Sequence, residues 1–263
     1  YVVTGSWAKK AIKEAKILGK ADVAATTEED GKFSRVPKPS ECQFSPEAAY
    51  AHITTNNTIF GTQWHEFPST EAPLVADMSS DIFWRPVDAS RFDLIYAGAQ
   101  KNLGPAGVTV VVIRDEMLQK CRDGVPTMFS YKTHAEKNSL FNTPPCFPIY
   151  MVMRTLEWVQ SEGGVEEMER RNRKKAELIY TTIDDNPDFF RAPVDKDSRS
   201  YMNVVFRLPS EELEKKFIEA GKEAGMSGLK GHRSVGGIRI SIYNAVEVAW
   251  VEKVVDLMKS FAR

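Results

Sequence analysis

The fold is decided by the stretch Phe92-Asp-Leu-Ile-Tyr-Ala-Gly-Ala-Gln-Lys-Asn-Leu-Gly-Pro-Ala-Gly-Val-Thr-Val-Val-Val-Ile113. Two apolar segments of strand length, 92–96 and 108–113, enclose a loop of small residues that carries Lys101. Burial disfavours the charged form of a lysine and lowers its pKa, so a lysine at the end of a buried strand is a candidate Schiff-base former. The alternative is a loop lysine whose ammonium group reaches water along its flexible stem.

A second strand, upstream of the first stretch, ends in a carboxylate. The segment Ala72-Pro-Leu-Val-Ala-Asp-Met-Ser-Ser80 places Asp77 directly after a short apolar run. Pyridoxal phosphate chemistry requires a lysine that holds the aldehyde and an acid that keeps the pyridine nitrogen protonated. If the two strands are neighbours, Lys101 and Asp77 are the catalytic residues of a pyridoxal phosphate site.

Composition excludes several classes of function. The 263 residues carry a formal net charge of -1, which argues against binding to nucleic acid through bulk charge. No apolar window approaches the roughly 18 residues of a membrane span, so no membrane association is expected. The three cysteines, Cys42, Cys121 and Cys146, show no metal-site spacing and suit a reducing compartment. A cytoplasmic location is therefore expected.

Alternating strands and helices predict an α/β fold with a mostly parallel sheet. Strands are predicted near 49–54, 73–77, 92–96 and 108–113, and helices over 7–18 (with Ser6 as its N-cap), 148–161 and 165–184. After Pro187 the pattern changes to a strand (201–208), a helix (210–224), a hairpin-like segment (225–243) and a helix (246–262). We therefore predict a large domain over 1–186 and a small two-layer α+β domain over 187–263.

Four polar or aromatic residues outside these strands are candidate ligands of a cofactor. Trp7 begins a helix after a Gly-Ser turn and could stack on a ring, although a core tryptophan fits the same position. Thr58 follows a strand and could bind a ligand oxygen, but its neighbours are ordinary turn formers. Asn142 and Thr143 precede two prolines, which suits phosphate binding or simply a rigid loop.

The segment from Lys230 to Asn244 places His232, Arg233 and Arg239 in a glycine-interrupted turn that leads into a strand. Guanidinium groups bind carboxylate and phosphate through paired hydrogen bonds. The three residues therefore predict a substrate that bears both anionic groups, and a solvated charged loop is the alternative.

These segments, taken together and in this order, resemble the phosphoserine aminotransferase family of class-V, fold-type I enzymes. The resemblance covers essentially the whole chain. It rests on the motifs Thr4-Gly-Ser-Trp7, Asn56-Asn-Thr-Ile-Phe-Gly61, Val75-Ala-Asp-Met-Ser-Ser80, Gly98-Ala-Gln-Lys-Asn-Leu-Gly-Pro-Ala-Gly107, Asn142-Thr-Pro-Pro145 and Gly231-His-Arg-Ser-Val-Gly-Gly-Ile-Arg239.

The resemblance implies reversible amino transfer from glutamate to 3-phosphohydroxypyruvate in serine biosynthesis, with pyridoxal 5'-phosphate as cofactor and a homodimer with shared active sites. Lys101 would hold the cofactor aldehyde and Asp77 its ring nitrogen. The remaining cofactor contacts implied are Trp7 on the ring, Thr58 near the phenolic oxygen, Gln100 at the phosphate, and Asn142 and Thr143 at the phosphate in the partner subunit. The implied substrate contacts are Arg239 at the carboxylate and His232 and Arg233 at the phosphoryl group.

Other functions stay open at this point. Members of the family extend about a hundred residues further at the N-terminus, so the chain is expected to be a fragment that lacks part of the phosphate-binding wall. An inactive, dimerising fragment is one alternative. A second alternative is another fold-type I enzyme, such as a serine–glyoxylate transaminase or a cysteine desulfurase. Neither of these needs the cluster of His232, Arg233 and Arg239.

Overall fold

The computed structural model describes residues 1–262, and its helices occupy most of the predicted positions. The seven α-helices are α1 (Ser6–Leu18), α2 (Asp115–Gln119), α3 (Tyr131–Glu136), α4 (Cys146–Ser161), α5 (Gly164–Asp184), α6 (Glu211–Glu223) and α7 (Val248–Phe261). The prediction of Ser6 as N-cap was wrong by one residue, because Gly5 is the cap and Ser6 already lies in the helix. None of these helices is long and apolar enough to cross a membrane.

The twelve strands are short. They are β1 (Val2–Val3), β2 (Ala25–Thr26), β3 (Glu28–Glu29), β4 (Lys32–Phe33), β5 (Ala51–Thr54), β6 (Asn56–Asn57), β7 (Thr62–Gln63), β8 (Leu74–Asp77), β9 (Leu94–Gly98), β10 (Thr109–Ile113), β11 (Asn203–Phe206) and β12 (Ile238–Ser241). Strands β2 to β4 follow α1, and β2 pairs in parallel with β1.

A four-stranded sheet in the order β10-β9-β8-β5 positions the site. Strands β5, β8 and β9 are parallel, whereas β10 runs antiparallel to β9 at the edge. All four residues of β5 and the first three residues of β8 are buried, so both faces of these strands are covered. Because β8 and β9 are adjacent and parallel, the residues after their carboxyl ends meet at one edge of the sheet.

The C-terminal part of the chain pairs β11 with β12 in an antiparallel ribbon. Helices α5, α6 and α7 pack around it, and the shared core includes Ile179, Phe206, Phe217 and Met258. Ser210 is the N-cap of α6 and accepts a hydrogen bond from the Leu213 N–H. The first turn of α6 carries acidic residues, which the helix dipole stabilises there. Three residues after β12, the Asn244 N–H donates to Asn102 Oδ1 at 3.1 Å, next to Lys101.

Candidate active site

The structure confirms that the strand bearing Asp77 is the neighbour of the strand that leads to Lys101. Lys101 lies three residues beyond the end of β9, in a tight turn in which its N–H donates to the Ala99 carbonyl at 2.7 Å. Its Nζ donates to the Thr58 hydroxyl at 2.8 Å. Burial lowers the pKa of Lys101, and the charge of Asp77 opposes this shift. A half-buried amine with a lowered pKa is suited to react with an aldehyde.

Asp77 is the last residue of β8, and hydrogen bonds hold it beside the end of β9. One of its carboxylate oxygens accepts from the Ser79 N–H at 2.9 Å. The hydroxyl of Ser79 in turn accepts from the Gly98 N–H at 3.1 Å. These hydrogen bonds hold the ends of β8 and β9 together, where Asp77 and Lys101 would act on one ligand.

Two aromatic side chains lie beside Asp77 on the neighbouring strands. His52 Nε2 and the Tyr96 hydroxyl are 3.0 Å apart. Burial lowers the pKa of His52 to about 4, although Asp77 opposes the shift. Burial, with the charge of Asp77, raises the pKa of Tyr96. Both groups are therefore neutral at neutral pH.

A second carboxyl group, which the sequence analysis missed, lies one turn beyond Asp77. The carboxyl group of Asp81 contacts the Thr55 hydroxyl, and its other oxygen accepts from Gln63 Nε2 at 3.0 Å. The Thr55 hydroxyl also lies 3.0 Å from the Asp77 carbonyl, and its single proton cannot serve two acceptors. A proton on Asp81 resolves this conflict. Consistent with that, burial raises the pKa of Asp81 to about 6, with the bonds from Thr55 and Gln63 opposing the shift.

Arg239 lies in β12, and its side chain is only partly exposed. Its Nε is buried and has no hydrogen-bond partner among residues 1–262. Its charge is close enough to depress the pKa of Lys101. A buried guanidinium nitrogen without a partner, facing a lysine, indicates a place for an anion.

His232 and Arg233 lie in the turn before β12, and within the described part of the chain no hydrogen bond joins them to Arg239. His232 Nδ1 accepts from the Ser234 N–H at 3.2 Å and contacts the Ser234 hydroxyl at 2.7 Å. The ring proton is therefore on Nε2, which can donate outward. Arg233 is exposed. The structure thus places His232 and Arg233 in the turn and Arg239 in the strand that follows it.

The other predicted cofactor residues occupy exposed positions. Trp7 is 44% exposed in the first turn of α1, with Lys10 Nζ 4.4 Å from its ring centroid, so it is not a core tryptophan. Gln100 is also exposed, and its amide folds over Gly98 so closely that a Cβ there would lie 2.7 Å from the amide oxygen. Asn142 and Thr143 are exposed in the loop before α4, and the Asn142 amide donates only to the Thr143 carbonyl within the described chain.

Asn102, next to Lys101, links the two parts of the chain and was not singled out from the sequence. Its Nδ2 donates to the Ile82 carbonyl at 2.9 Å, and its Oδ1 accepts from the Asn244 N–H at 3.1 Å. The Asn244 side chain extends the link to the Phe83 carbonyl. An asparagine after a lysine carries no sequence signal of such a role, because both partners are distant in sequence.

The donor set at the sheet edge fits pyridoxal phosphate. An amine with a lowered pKa, a carboxylate one strand away and a hydroxyl 2.8 Å from the amine match the aldehyde, ring nitrogen and phenolic oxygen of that cofactor. The Nε of Arg239, which has no partner among residues 1–262, can donate a hydrogen bond to a separate anionic group.

The family assignment follows from comparison with known proteins. Residues 1–254 match the family model for aminotransferase class-V. The chain therefore belongs to the class-V aminotransferases, a family of pyridoxal phosphate enzymes. Within that family it belongs with the phosphoserine aminotransferases, as the following relatives show.

The phosphoserine aminotransferase of Halalkalibacterium halodurans is 54% identical over 262 residues, which are 99% of this chain and 72% of the relative. That of Geobacillus kaustophilus is also 54% identical, over 100% of this chain and 73% of the relative. The solved structure of the enzyme from Bacillus circulans subsp. alkalophilus superposes with a TM-score of 0.97 at 53% identity, covering 100% of this chain and 73% of that one. The chain thus spans just under three quarters of the length of these relatives.

Proposed function

We propose that the chain transfers the amino group of glutamate to 3-phosphohydroxypyruvate, which yields 2-oxoglutarate and O-phosphoserine in serine biosynthesis. The observation that carries this proposal is the 2.8 Å contact between Lys101 Nζ and Thr58 Oγ1 at the edge where Asp77 ends the adjacent strand. The identity to phosphoserine aminotransferases supports the choice of substrates.

Each residue has a defined part in this proposal. Pyridoxal phosphate, when bound, withdraws electrons from the bond that breaks at the substrate α-carbon. Asp77 would keep the ring nitrogen protonated, and Thr58 would hydrogen-bond near the phenolic oxygen. Lys101 Nζ removes the α-proton as general base, a task that its lowered pKa favours because more of the amine is neutral.

The remaining residues bind and orient. We assign the cofactor ring to Trp7, and the cofactor phosphate to Gln100 and, from a second subunit, to Asn142 and Thr143. Arg239 would bind the substrate carboxylate. Arg233 is exposed and His232 is partly exposed, so both can reach a phosphoryl group from the surface of the molecule.

A homodimer with shared active sites is part of the proposal. Among the described residues, no hydrogen bond joins Asn142 or Thr143 to the Lys101 site of the same chain. Exposed apolar side chains surround it: Met128, Phe129, Tyr131, Leu140, Phe141, Phe147, Ile149 and Tyr150. An exposed apolar surface of this extent is typical of a subunit interface. We further propose a cytoplasmic location and a domain boundary between 186 and 187.

Absorbance of the purified protein with added pyridoxal phosphate tests the proposal. A yellow protein that glutamate bleaches and phosphohydroxypyruvate restores supports the transaminase. Lys101→Ala removes the amine, so borohydride reduction should no longer fix the cofactor absorbance to the protein, whereas Lys215→Ala, on the exposed side of α6, should leave that fixation unchanged. A colourless protein that ignores the cofactor would instead identify an inert fragment.

A further inference from the structure

Tyr243 follows β12, and its hydroxyl lies in the candidate site without an assigned task. Asn203 Nδ2 donates to Tyr243 Oη at 3.1 Å and to Ser241 Oγ at 3.0 Å, so these two hydroxyls lie on one side of the ribbon. Arg239 shares that side, because residues of a strand that are two apart face the same way. Arg239 is also close enough to lower the pKa of Tyr243, against the larger rise that burial causes.

The direction of the hydrogen bond between Asn203 and Tyr243 follows from a chain of obligatory donors. The Ser200 hydroxyl accepts from the backbone N–H groups of Met202 and Asn203, at 3.0 and 2.9 Å. Both of its lone pairs are thereby occupied, so its own proton must be donated to the remaining neighbour, Asn56 Oδ1, at 2.5 Å.

This fixes the orientation of two amides in turn. Since Asn56 presents Oδ1 to Ser200, its Nδ2 donates to Asn203 Oδ1 at 2.9 Å. Asn203 therefore turns its Nδ2 toward Tyr243. The tyrosine oxygen is the acceptor in that contact, and its own proton is directed elsewhere.

Asn203 Nδ2 is the only group among residues 1–262 that is hydrogen-bonded to Tyr243 Oη. Within the same residues no acceptor receives the Tyr243 proton, so that proton is free for a ligand.

We propose that Tyr243 donates this proton to the substrate carboxylate and, with Arg239, forms the carboxylate subsite; the proposal rests on the function given above. One carboxylate would meet three requirements of the structure at once. It would neutralise the Arg239 guanidinium, occupy the unpartnered Nε and accept the Tyr243 proton. Hydrogen bonds of this kind to a charged acceptor are stronger than those between neutral groups.

Binding of two non-reacting ligands to the cofactor-loaded protein tests the proposal by calorimetry. The ligand 3-phosphoglycerate carries a carboxylate and a phosphate, whereas glycerol 3-phosphate lacks the carboxylate. Tyr243→Phe removes only the hydroxyl and should weaken 3-phosphoglycerate roughly 10- to 100-fold, as expected for a bond to a charged group. Glycerol 3-phosphate should bind as before, which also shows that the variant is folded. Ser241→Ala, which removes the other hydroxyl that Asn203 contacts, should change neither affinity.

Three results would overturn the proposal, and they are distinguishable. If the unchanged protein binds both ligands equally, there is no carboxylate subsite and the substrate assignment of Arg239 falls with it. If the unchanged protein discriminates and Tyr243→Phe discriminates equally well, only the role of Tyr243 is wrong. If Tyr243→Phe instead shifts the pH dependence of the cofactor absorbance without ligand, the hydroxyl acts on the cofactor and not on the substrate carboxylate.

Discussion

Replacement of Asp81 by asparagine is expected to change the pH dependence of stability in a defined direction. Asp81 is 5% exposed, and its pKa rises from an ordinary value of 3.8 to about 6. The shift is about 2 units, which corresponds to about 3 kcal/mol at 1.36 kcal/mol per unit. Because the carboxyl is buried, this figure needs no reduction for solvent screening.

The sign follows from the proton count. A carboxyl group whose pKa is raised on folding binds its proton more tightly in the folded chain. Its contribution to stability is fully present below pH 3.8 and is lost as the pH rises to about 6. The asparagine side chain of the variant would not titrate. Its Nδ2 can donate to Thr55 as protonated Asp81 does, while its Oδ1 accepts from Gln63.

The measurement is the free energy of unfolding of both proteins in urea, followed by tryptophan fluorescence at pH values from below 3.8 to well above 6. Asp81→Asn should gain about 3 kcal/mol relative to the unchanged chain over this range, with most of the change between the two pKa values and a plateau above them. Asp22→Asn is the control, because it makes the same chemical change at a side chain that is 77% exposed. A flat difference for Asp81→Asn would refute the protonated arrangement of Asp81, Thr55 and the Asp77 carbonyl.

Three further substitutions have expected outcomes. Lys175 is fully buried, donates to two carbonyls and has a pKa lowered to about 7. As the pH rises from about 7 to about 10, the free energy of unfolding of the unchanged chain, measured in urea, should therefore increase by on the order of 4 kcal/mol relative to Lys175→Met. Gly231→Ala places a Cβ 1.9 Å from the Gly236 carbonyl oxygen and should weaken the binding of both phosphorylated ligands about tenfold in calorimetry. Gly19→Ala should leave both affinities unchanged, because a Cβ there has no other atom within 4 Å. Asn102→Ala leaves two buried groups unpaired and should cost about 2–4 kcal/mol in the free energy of unfolding; a cost below about 1 kcal/mol would contradict the link to Asn244.

Much of the larger sheet could be predicted because its strands are locally distinctive. The apolar runs that lead to Asp77 and Lys101 became β8 and β9, and small residues mark the turn that follows each one. The edge strand β10 also lay where predicted, but its antiparallel direction could not be read from its sequence. Strand direction depends on how the chain returns, and that return is decided by packing.

The sequence by itself determined the chemistry: a lysine and a carboxylate each end a buried strand, and arginines precede another strand. Only the tertiary structure decided which groups meet. It brought Thr58 to Lys101, placed Arg239 in a strand and His232 in the turn before it, and brought the Tyr243 hydroxyl to Asn203. The physical reason is that the direction of a hydrogen bond depends on every donor and acceptor around it. Those partners come from segments that lie far apart in the chain, so no local pattern can encode them.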